Sequence, residues 1–334
     1  MPKVRWGVLG VAKIATEKVI PAMQRGRYSE VTAIASRSAE KARGAAAALG
    51  IPKAYGSYDE LLTDPDVDAI YNPLPNDLHV PWTAKAAERG KHVLCEKPIA
   101  LTADEARQLI AARDRTGAKI QEAFMVRTHP QWLKVRALVQ EGRIGELRSI
   151  LGVFSYFNRD AANIRNLPSA GGGALMDIGC YLINTSRFLF GREPARAIGL
   201  VDRDPDMKID RMTTIMLDFG TGHSAGTCST QMVFYQQMQI LGTTGRIELP
   251  IPFNAPPDRP CRVIVDTGKD LFGGGVSAIE IDTCNQYTIQ GDLFSKAILD
   301  GKDVPSPIED AVKNMACIDA VFRSAGSGQW EVPQ

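Results

Sequence analysis

Lys97, Asp177 and Tyr181 are the residues whose types and settings best suit proton transfer at an alcohol. Lys97 precedes Pro98, which pushes its backbone out of the helical region and gives the following bond an appreciable chance of being cis. Asp177 and Tyr181 are four apart in a stretch that opens after Gly171-Gly172-Gly173 and closes at Gly191. Helical spacing puts them on one face, one turn apart. A free phenol titrates at about 10, so Tyr181 needs a cation to serve as acid or base near neutrality. The ammonium of Lys97 would favour the phenolate. Plainer readings stay open from the residues alone: a surface lysine beside a loop proline, a core tyrosine, an aspartate on a helix surface.

A second set of residues suits a dinucleotide. The turn Gly10-Val11-Ala12-Lys13-Ile14-Ala15 stands where a G-x-G-x-x-G fingerprint would stand, with only the first glycine kept. Alanine approximates the small residues needed for close approach to a pyrophosphate and for helix packing. A strand–Gly–helix turn also occurs in many α/β proteins. Further on, Ser36-Arg37-Ser38 with Lys41 replaces the carboxylate that would bond a ribose 2′-hydroxyl. A hydroxyl and a guanidinium would instead hold a 2′-phosphate, which favours NADP over NAD; otherwise Arg37 is a solvated charge.

The elements that must carry these residues alternate in the first third of the chain. Val4–Leu9, Val31–Ala35, Ala69–Asn72, Val93–Cys95 and Lys119–Ala123 read as strands, apolar throughout as in a sheet covered on both faces. Ala39–Leu49, Tyr58–Leu62, Val80–Arg89 and Ala103–Thr116 read as helices, several followed by a C-terminal glycine. The pattern implies a doubly wound parallel sheet, a Rossmann domain over residues 1–124. Pro21 should break the first helix near Val19–Ile20. Residues 125–334 read as an α+β domain with an open mixed or antiparallel sheet. Its strands fall near Leu147–Tyr156, Ala195–Val201, Arg211–Phe219, His223–Gln231, Gln236–Leu241, Arg246–Leu249 and Cys261–Val265. One helix interrupts them near Gly173–Phe190, and Tyr287–Asp300 and Ile308–Ala325 close the chain. So few helices leave one sheet face bare, and an apolar bare face is expected to pair with a second copy as a homodimer or homotetramer.

Cys95-Glu96-Lys97-Pro98, preceded by Gly90-Lys91-His92-Val93-Leu94, resembles the signature of the glucose–fructose oxidoreductase, inositol dehydrogenase and rhizopine-catabolism (Gfo/Idh/MocA) family. Asn72-Pro73-Leu74-Pro75-Asn76-Asp77-Leu78-His79 and Gly171 through Tyr181 resemble two further family motifs, in family order. Tyr181, where the inositol dehydrogenases carry His, and the stretch Ile51–Tyr58 look closest to the dihydrodiol dehydrogenase, D-xylose dehydrogenase and glucose–fructose oxidoreductase branch. The resemblance implies hydride transfer between NADP(H) and a carbinol carbon of a sugar or cyclic diol, with Tyr181 moving the proton, Lys97 lowering its pKa and Asp177 orienting the substrate. It also implies cofactor contacts from Gly10, Ala12, Lys13, Ile14, Ser36, Arg37, Lys41, Leu74, Asn76, His79, Glu96, Lys97 and Arg165. A Trp-Arg pair in relatives is Ile164-Arg165 here. For His79 a buried ring bonded to backbone is an equal alternative; His129, Asn184 and Tyr287 are further polar candidates. The rival activities are a nicotinamide-dependent glycosidase and a non-catalytic NADP-binding regulator.

Composition agrees with a small neutral substrate. Lys and Arg total 39 against 38 Asp and Glu, with no long basic run, which gives no electrostatic reason to expect nucleic acid or an anionic membrane. The six cysteines contain no C-x-x-C pair and read as small reduced core residues; no metal site is expected. The chain enters a strand at once and no stretch reaches the roughly 20 apolar residues of a bilayer span, so a cytoplasmic location is expected.

Overall fold

Val4–Leu9, the apolar run near the start of the chain, forms the central strand β1 of a parallel sheet in the computed structural model, which describes residues 2–334. Among the described residues this sheet has six strands, completed by β2 (Ser29–Ala35), β3 (Lys53–Tyr55), β4 (Ala69–Asn72), β5 (His92–Cys95) and β6 (Ile120–Glu122). Their order is β3-β2-β1-β4-β5-β6, with parallel pairing throughout. The direction of strand addition reverses between β1 and β4, and ligands of such sheets bind at the carboxyl ends of the strands at that point. Five strands were expected. The extra one, β3, is a three-residue edge strand with every residue half-buried, too short to show a period.

The crossovers are α1 (Ile20–Gln24), α2 (Ala39–Leu49), α3 (Tyr58–Leu62), α4 (His79–Glu88) and α5 (Ala103–Thr116). The interruption expected near Val19–Ile20 takes the form of a change of helix type there, without a gap in the helical backbone. The turn before it, Ala15–Val19, widens into a π-turn, and Pro21 sits in the first turn of α1. The wider turn accommodates a residue that has no N–H to give and whose ring crowds the preceding turn.

The second unit starts with α6 (Pro130–Gln140), a helix not anticipated from the sequence. Its signals were present: His129 as N-cap, Pro130 in the first turn, and Trp132, Val135 and Leu138 buried at helical spacing. There follow β7 (Leu147–Phe157), α7 (Cys180–Phe190), β8 (Arg196–Arg203), β9 (Asp210–Asp218), β10 (His223–Ser229), β11 (Gln231–Gly242), β12 (Arg246–Leu249), β13 (Cys261–Asp266) and β14 (Val276–Ile281). The eight strands run β14-β13-β12-β11-β7-β10-β9-β8. Among the described residues only the β7–β10 pair of this sheet is parallel, so the sheet is mixed. One face is covered. Gly152 and Gly226 lie so close to Leu182 of α7 that a Cβ would come within 2.7 and 2.9 Å of it. The last helix, α9 (Ile308–Ser327), puts Val321 just as tightly against Gly199 of β8.

The chain does not divide at residue 124 alone. Residues through Met125 group with Asn285–Val312, and Val126–Cys284 groups with Lys313–Gln334. The returning segment contains α8 (Gln286–Leu299), which packs on α1, β1 and β2. Phe294 meets Trp6 with ring centroids 5.6 Å apart, and both are fully buried. The Trp6 indole N–H donates to Ser295 Oγ at 3.0 Å. Asp292 accepts from the backbone N–H groups of Arg27 and Tyr28 at 2.8 and 2.9 Å. Losing Phe294 to alanine would cost on the order of 3–5 kcal/mol.

Candidate active site

At the end of β1 the chain turns on Gly10, whose φ of +87° suits glycine and whose added Cβ would stand 3.1 Å from Leu74 Cδ2. Its N–H donates to Ala35 O at 2.8 Å, tying the turn to the end of β2. The helix then starts at Lys13, leaving its first N–H groups without intrahelical partners, the arrangement that receives a pyrophosphate. Ala12 is half-buried, Lys13 exposed, and Ile14 packs against the core. At the end of β2, Ser36 is buried and its Oγ accepts from Ser38 N at 3.3 Å. Ser38 caps α2 by accepting from Lys41 N, and Arg37 and Lys41 are exposed. A turn on a positive-φ glycine, an open helix start and a cationic second strand end fit an NADP.

The loops after β4 and β5 fix Lys97 by its backbone. Glu96 N donates to Asn72 O at 3.0 Å, and the Lys97–Pro98 bond is cis. Ile99 N donates to Glu122 Oε1 at 2.8 Å. His79 joins the two loops: its Nδ1 lies 2.7 Å from Pro98 O and its Nε2 2.7 Å from Leu74 O. Burial pushes the imidazole down to about 4, so at neutral pH it carries one N–H and donates to one carbonyl at a time. Of the two readings of His79, a cofactor contact or a buried ring bonded to backbone, the structure shows the second arrangement: it is 1% exposed and holds backbone. Glu96 accepts from Tyr71 OH at 2.7 Å and from Lys97 N at 3.3 Å. Burial first, and then the Glu96 carboxylate, raise both Tyr71 and Tyr287 above the ordinary phenol value. Asn76 is half-buried in the 3₁₀ turn Asn76–Leu78.

In the second unit the triple glycine has two physical causes. A Cβ on Gly172 would meet Arg165 O at 2.5 Å, and one on Gly173, where φ is +120°, would meet Asp210 Oδ1 at 1.8 Å. Asp210 is buried and accepts from Leu175 N at 2.7 Å and Thr213 Oγ1 at 3.0 Å. Burial outweighs these bonds and lifts its carboxyl to about 6. The helix expected over 173–190 starts as a π-turn, Leu175–Gly179, before α7. Asp177 therefore sits in the π-turn and Tyr181 in the first turn of α7, four residues on. Asp177 pairs with Arg165 Nε at 3.1 Å and accepts from Tyr156 OH at 2.6 Å. Burial, then the Asp177 charge, pushes the Tyr156 phenol well above its ordinary value. Arg165, expected on the cofactor or substrate, is thus an ion-pair partner of Asp177.

Tyr181 is 5% exposed, edge-on to Phe154 at 5.7 Å and tilted on Phe253 at 5.3 Å. Asn184 is fully buried; its Oδ1 accepts from Arg127 at 3.3 Å while its Nδ2 has no partner. His129 is a capping residue: Nδ1 accepts from Gln131 N at 3.2 Å, which leaves the N–H on Nε2, 3.3 Å from Cys284 Sγ. Tyr156 and Asp210 escaped sequence reasoning. They lie 21 and 35 residues from the groups they hold, beyond any local pattern. Among the described residues no group of three His, Cys, Asp or Glu could hold a metal ion, and no helix is long and apolar enough to cross a membrane.

Comparison with known proteins adds to this geometry. Residues 4–124 match the "Oxidoreductase family, NAD-binding Rossmann fold", and residues 132–248 match the GFO/IDH/MocA C-terminal domain. An uncharacterized oxidoreductase of Rhizobium meliloti is 46% identical over 99% of both chains. The D-xylose 1-dehydrogenase (NADP(+)) 2 of Haloferax volcanii is 36% identical over 97% of this chain and 98% of its own. A 3-ketoreductase from Actinomadura kijaniata, solved with NADP and TDP-benzene, superposes with a TM-score of 0.90 at 29% identity, over 96% of this chain and 98% of that one.

Proposed function

Because the chain belongs to the Gfo/Idh/MocA oxidoreductase family, we propose that it transfers a hydride reversibly between NADP(H) and the carbinol or carbonyl carbon of a sugar or cyclic diol. The observation that carries this is Lys97, whose backbone is tied down on both sides at the carboxyl end of β5, in a sheet whose β1 and β2 ends suit NADP. The nicotinamide, when bound, supplies C4 as hydride acceptor or donor. In this reading Gly10, Ala12 and the helix start at Lys13 receive the pyrophosphate, and Ser36, Arg37 and Lys41 receive the 2′-phosphate. Lys97 favours the Tyr181 phenolate, and Tyr181 takes the hydroxyl proton as the hydride leaves. Asp177 orients the substrate; Arg165 and Tyr156 hold its two oxygens, which keeps the carboxylate aimed.

The enzyme is proposed to work in the cytoplasm as a homodimer or as paired dimers. On the face of the mixed sheet away from α7, the row Gln239–Leu151–Ala225–Met216–Ile198 lies beside the row Gln237–Val153–Thr227–Thr214–Leu200. Leu200 is 75% exposed, Leu151 46% and Met216 39%. Ile215 and Leu217 of β9 point instead to the covered face, so this surface is more mixed than the sequence implied, with Thr214 and Thr227 hydrogen-bonded across it. The activity is tested by screening aldoses, inositols and cyclic diols with NADP and following NADPH absorbance. Release of reducing sugar without net NADPH would replace this reading with a glycosidase. NADP binding with no turnover of any alcohol would replace it with a binding protein.

A further inference from the structure

Asp210 opens β9 and is buried, and its carboxylate meets the stretch before α7 at two places. Its Oδ2 accepts from Leu175 N at 2.7 Å and from Thr213 Oγ1 at 3.0 Å. Its Oδ1 occupies the place that a Cβ on Gly173 would take. The two residues it touches are the ones whose carbonyls hold the site. Gly173 O accepts from Asp177 N at 3.0 Å. Leu175 O accepts from the N–H of Cys180, the neighbour of Tyr181 in the chain. Gly173 N also donates to Arg165 O at 2.9 Å, and Arg165 is the ion-pair partner of Asp177. The first N–H groups of a helix have no partner within it, so the bond from Leu175 N to Asp210 is a tertiary contact that fixes where the π-turn begins.

We propose that Asp210 is a positioning residue for the reaction: by fixing Gly173 and Leu175 it sets the backbone from which Asp177 and Tyr181 project. This rests on the roles proposed above for those two residues. Asp210 acts through backbone, not on substrate. A π-turn is rare and carries one residue more than an α-turn. A change of winding by one residue turns a side chain by roughly 100° about the helix axis. Releasing Leu175 N therefore spoils the aim of Asp177 relative to Tyr181 while α7 itself stays folded. A carboxylate suits the task because its bond to a backbone N–H is stronger than that of a neutral acceptor. The third glycine of the run then has a reason in the site: it leaves room for the oxygen that sets the turn.

The test compares full-length wild type, Asp210→Ala, Asp210→Asn and Thr213→Val. It measures kcat and KM for the aldose, inositol or cyclic diol that turns over in the screen above, and NADPH Kd by titration calorimetry. Hydrogen–deuterium exchange read by mass spectrometry follows the backbone. Asp210→Ala should lower kcat about tenfold to a hundredfold, as a small misplacement of a reacting group does, and leave NADPH Kd within about twofold. Its amides over residues 174–181 should exchange faster while those of β7 and β10 keep their protection. Asparagine still accepts from Leu175 N and should hold kcat within about twofold. Thr213→Val frees the carboxylate and should cost about fivefold, the effect of one hydrogen bond; it carries the test if Asp210→Ala does not fold. Wild-type kcat in a folded Asp210→Ala would overturn the proposal. So would exchange raised across the whole second sheet with kcat unchanged, the mark of a purely structural role, or an Asp210→Asn as slow as Asp210→Ala. If wild type turns over and the variants match it, this inference alone falls; if wild type oxidises none of the screened alcohols, the proposed function falls and this role with it.

Discussion

Replacing Asp210 with asparagine should change how stability depends on pH, in a direction the burial of its carboxyl dictates. Asp210 is raised from an ordinary 3.8 to about 6 by burial, so the folded protein binds its proton more tightly than the unfolded chain does. Such a group supports the fold fully below about pH 4, and that support fades as pH rises through about 6. The gap between 3.8 and about 6 corresponds to about 3 kcal/mol, an upper value because unfolded chains keep some structure. The substituted amide would have no proton to lose, could still accept from Leu175 N, and could donate to a reoriented Thr213 hydroxyl. The stability of Asp210→Asn minus that of wild type should therefore rise by about 2–3 kcal/mol between about pH 4 and pH 8. Urea unfolding followed by far-UV circular dichroism at several pH values in that window measures it. Parallel wild-type and variant curves, with a constant difference, would show that Asp210 is ionised in the fold throughout and would refute the reasoning.

Lys97→Met should lower kcat by ~10²–10⁴ while NADP still binds and the melt is unchanged; wild-type turnover would remove Lys97 from the mechanism. Gly173→Ala should destabilise the second unit by several kcal/mol, on the order of 2–4, since its Cβ would stand 1.8 Å from Asp210 Oδ1; a melt within a degree or two of wild type would contradict the crowding. Light scattering at micromolar concentration should give about twice or four times 36.3 kDa, and Leu151→Arg should shift it toward the single-chain mass. A wild-type mass near 36.3 kDa would dispose of the dimer.

How much of this was readable beforehand depended on what each residue has to satisfy locally. The parallel strands announced themselves because both faces are buried, which makes Val4–Leu9 and Ala69–Asn72 apolar almost without interruption. The edge strand Val276–Ile281 was missed for the opposite reason: most of its residues are exposed, so no pattern marks it. Lys97, Asp177 and Tyr181 stood out by type and motif, yet their surroundings did not. Nothing near Asp177 in sequence points to Tyr156, and nothing near the triple glycine points to Asp210. His79 could be read two ways from the sequence, as a cofactor contact or as a buried ring on backbone. A histidine in a ligand-binding motif invites a functional role, whereas here both ring nitrogens face carbonyls 2.7 Å away.

The return of α8 to the first unit has a consequence for how the protein is made. When the ribosome has released the first 125 residues, β1 through β6 are all present, but Trp6 still lacks Phe294 and Ser295, and the Arg27–Tyr28 turn still lacks Asp292. The cofactor half must wait until residues 285–312 emerge, a delay of roughly 10–40 s at ordinary elongation rates. Throughout that interval Trp6 and Met23 lack the α8 residues that pack against them. An N-terminal fragment ending at Met125 should for the same reason be insoluble, whereas joining the 285–312 segment to it through a short linker should recover a folded cofactor-binding half.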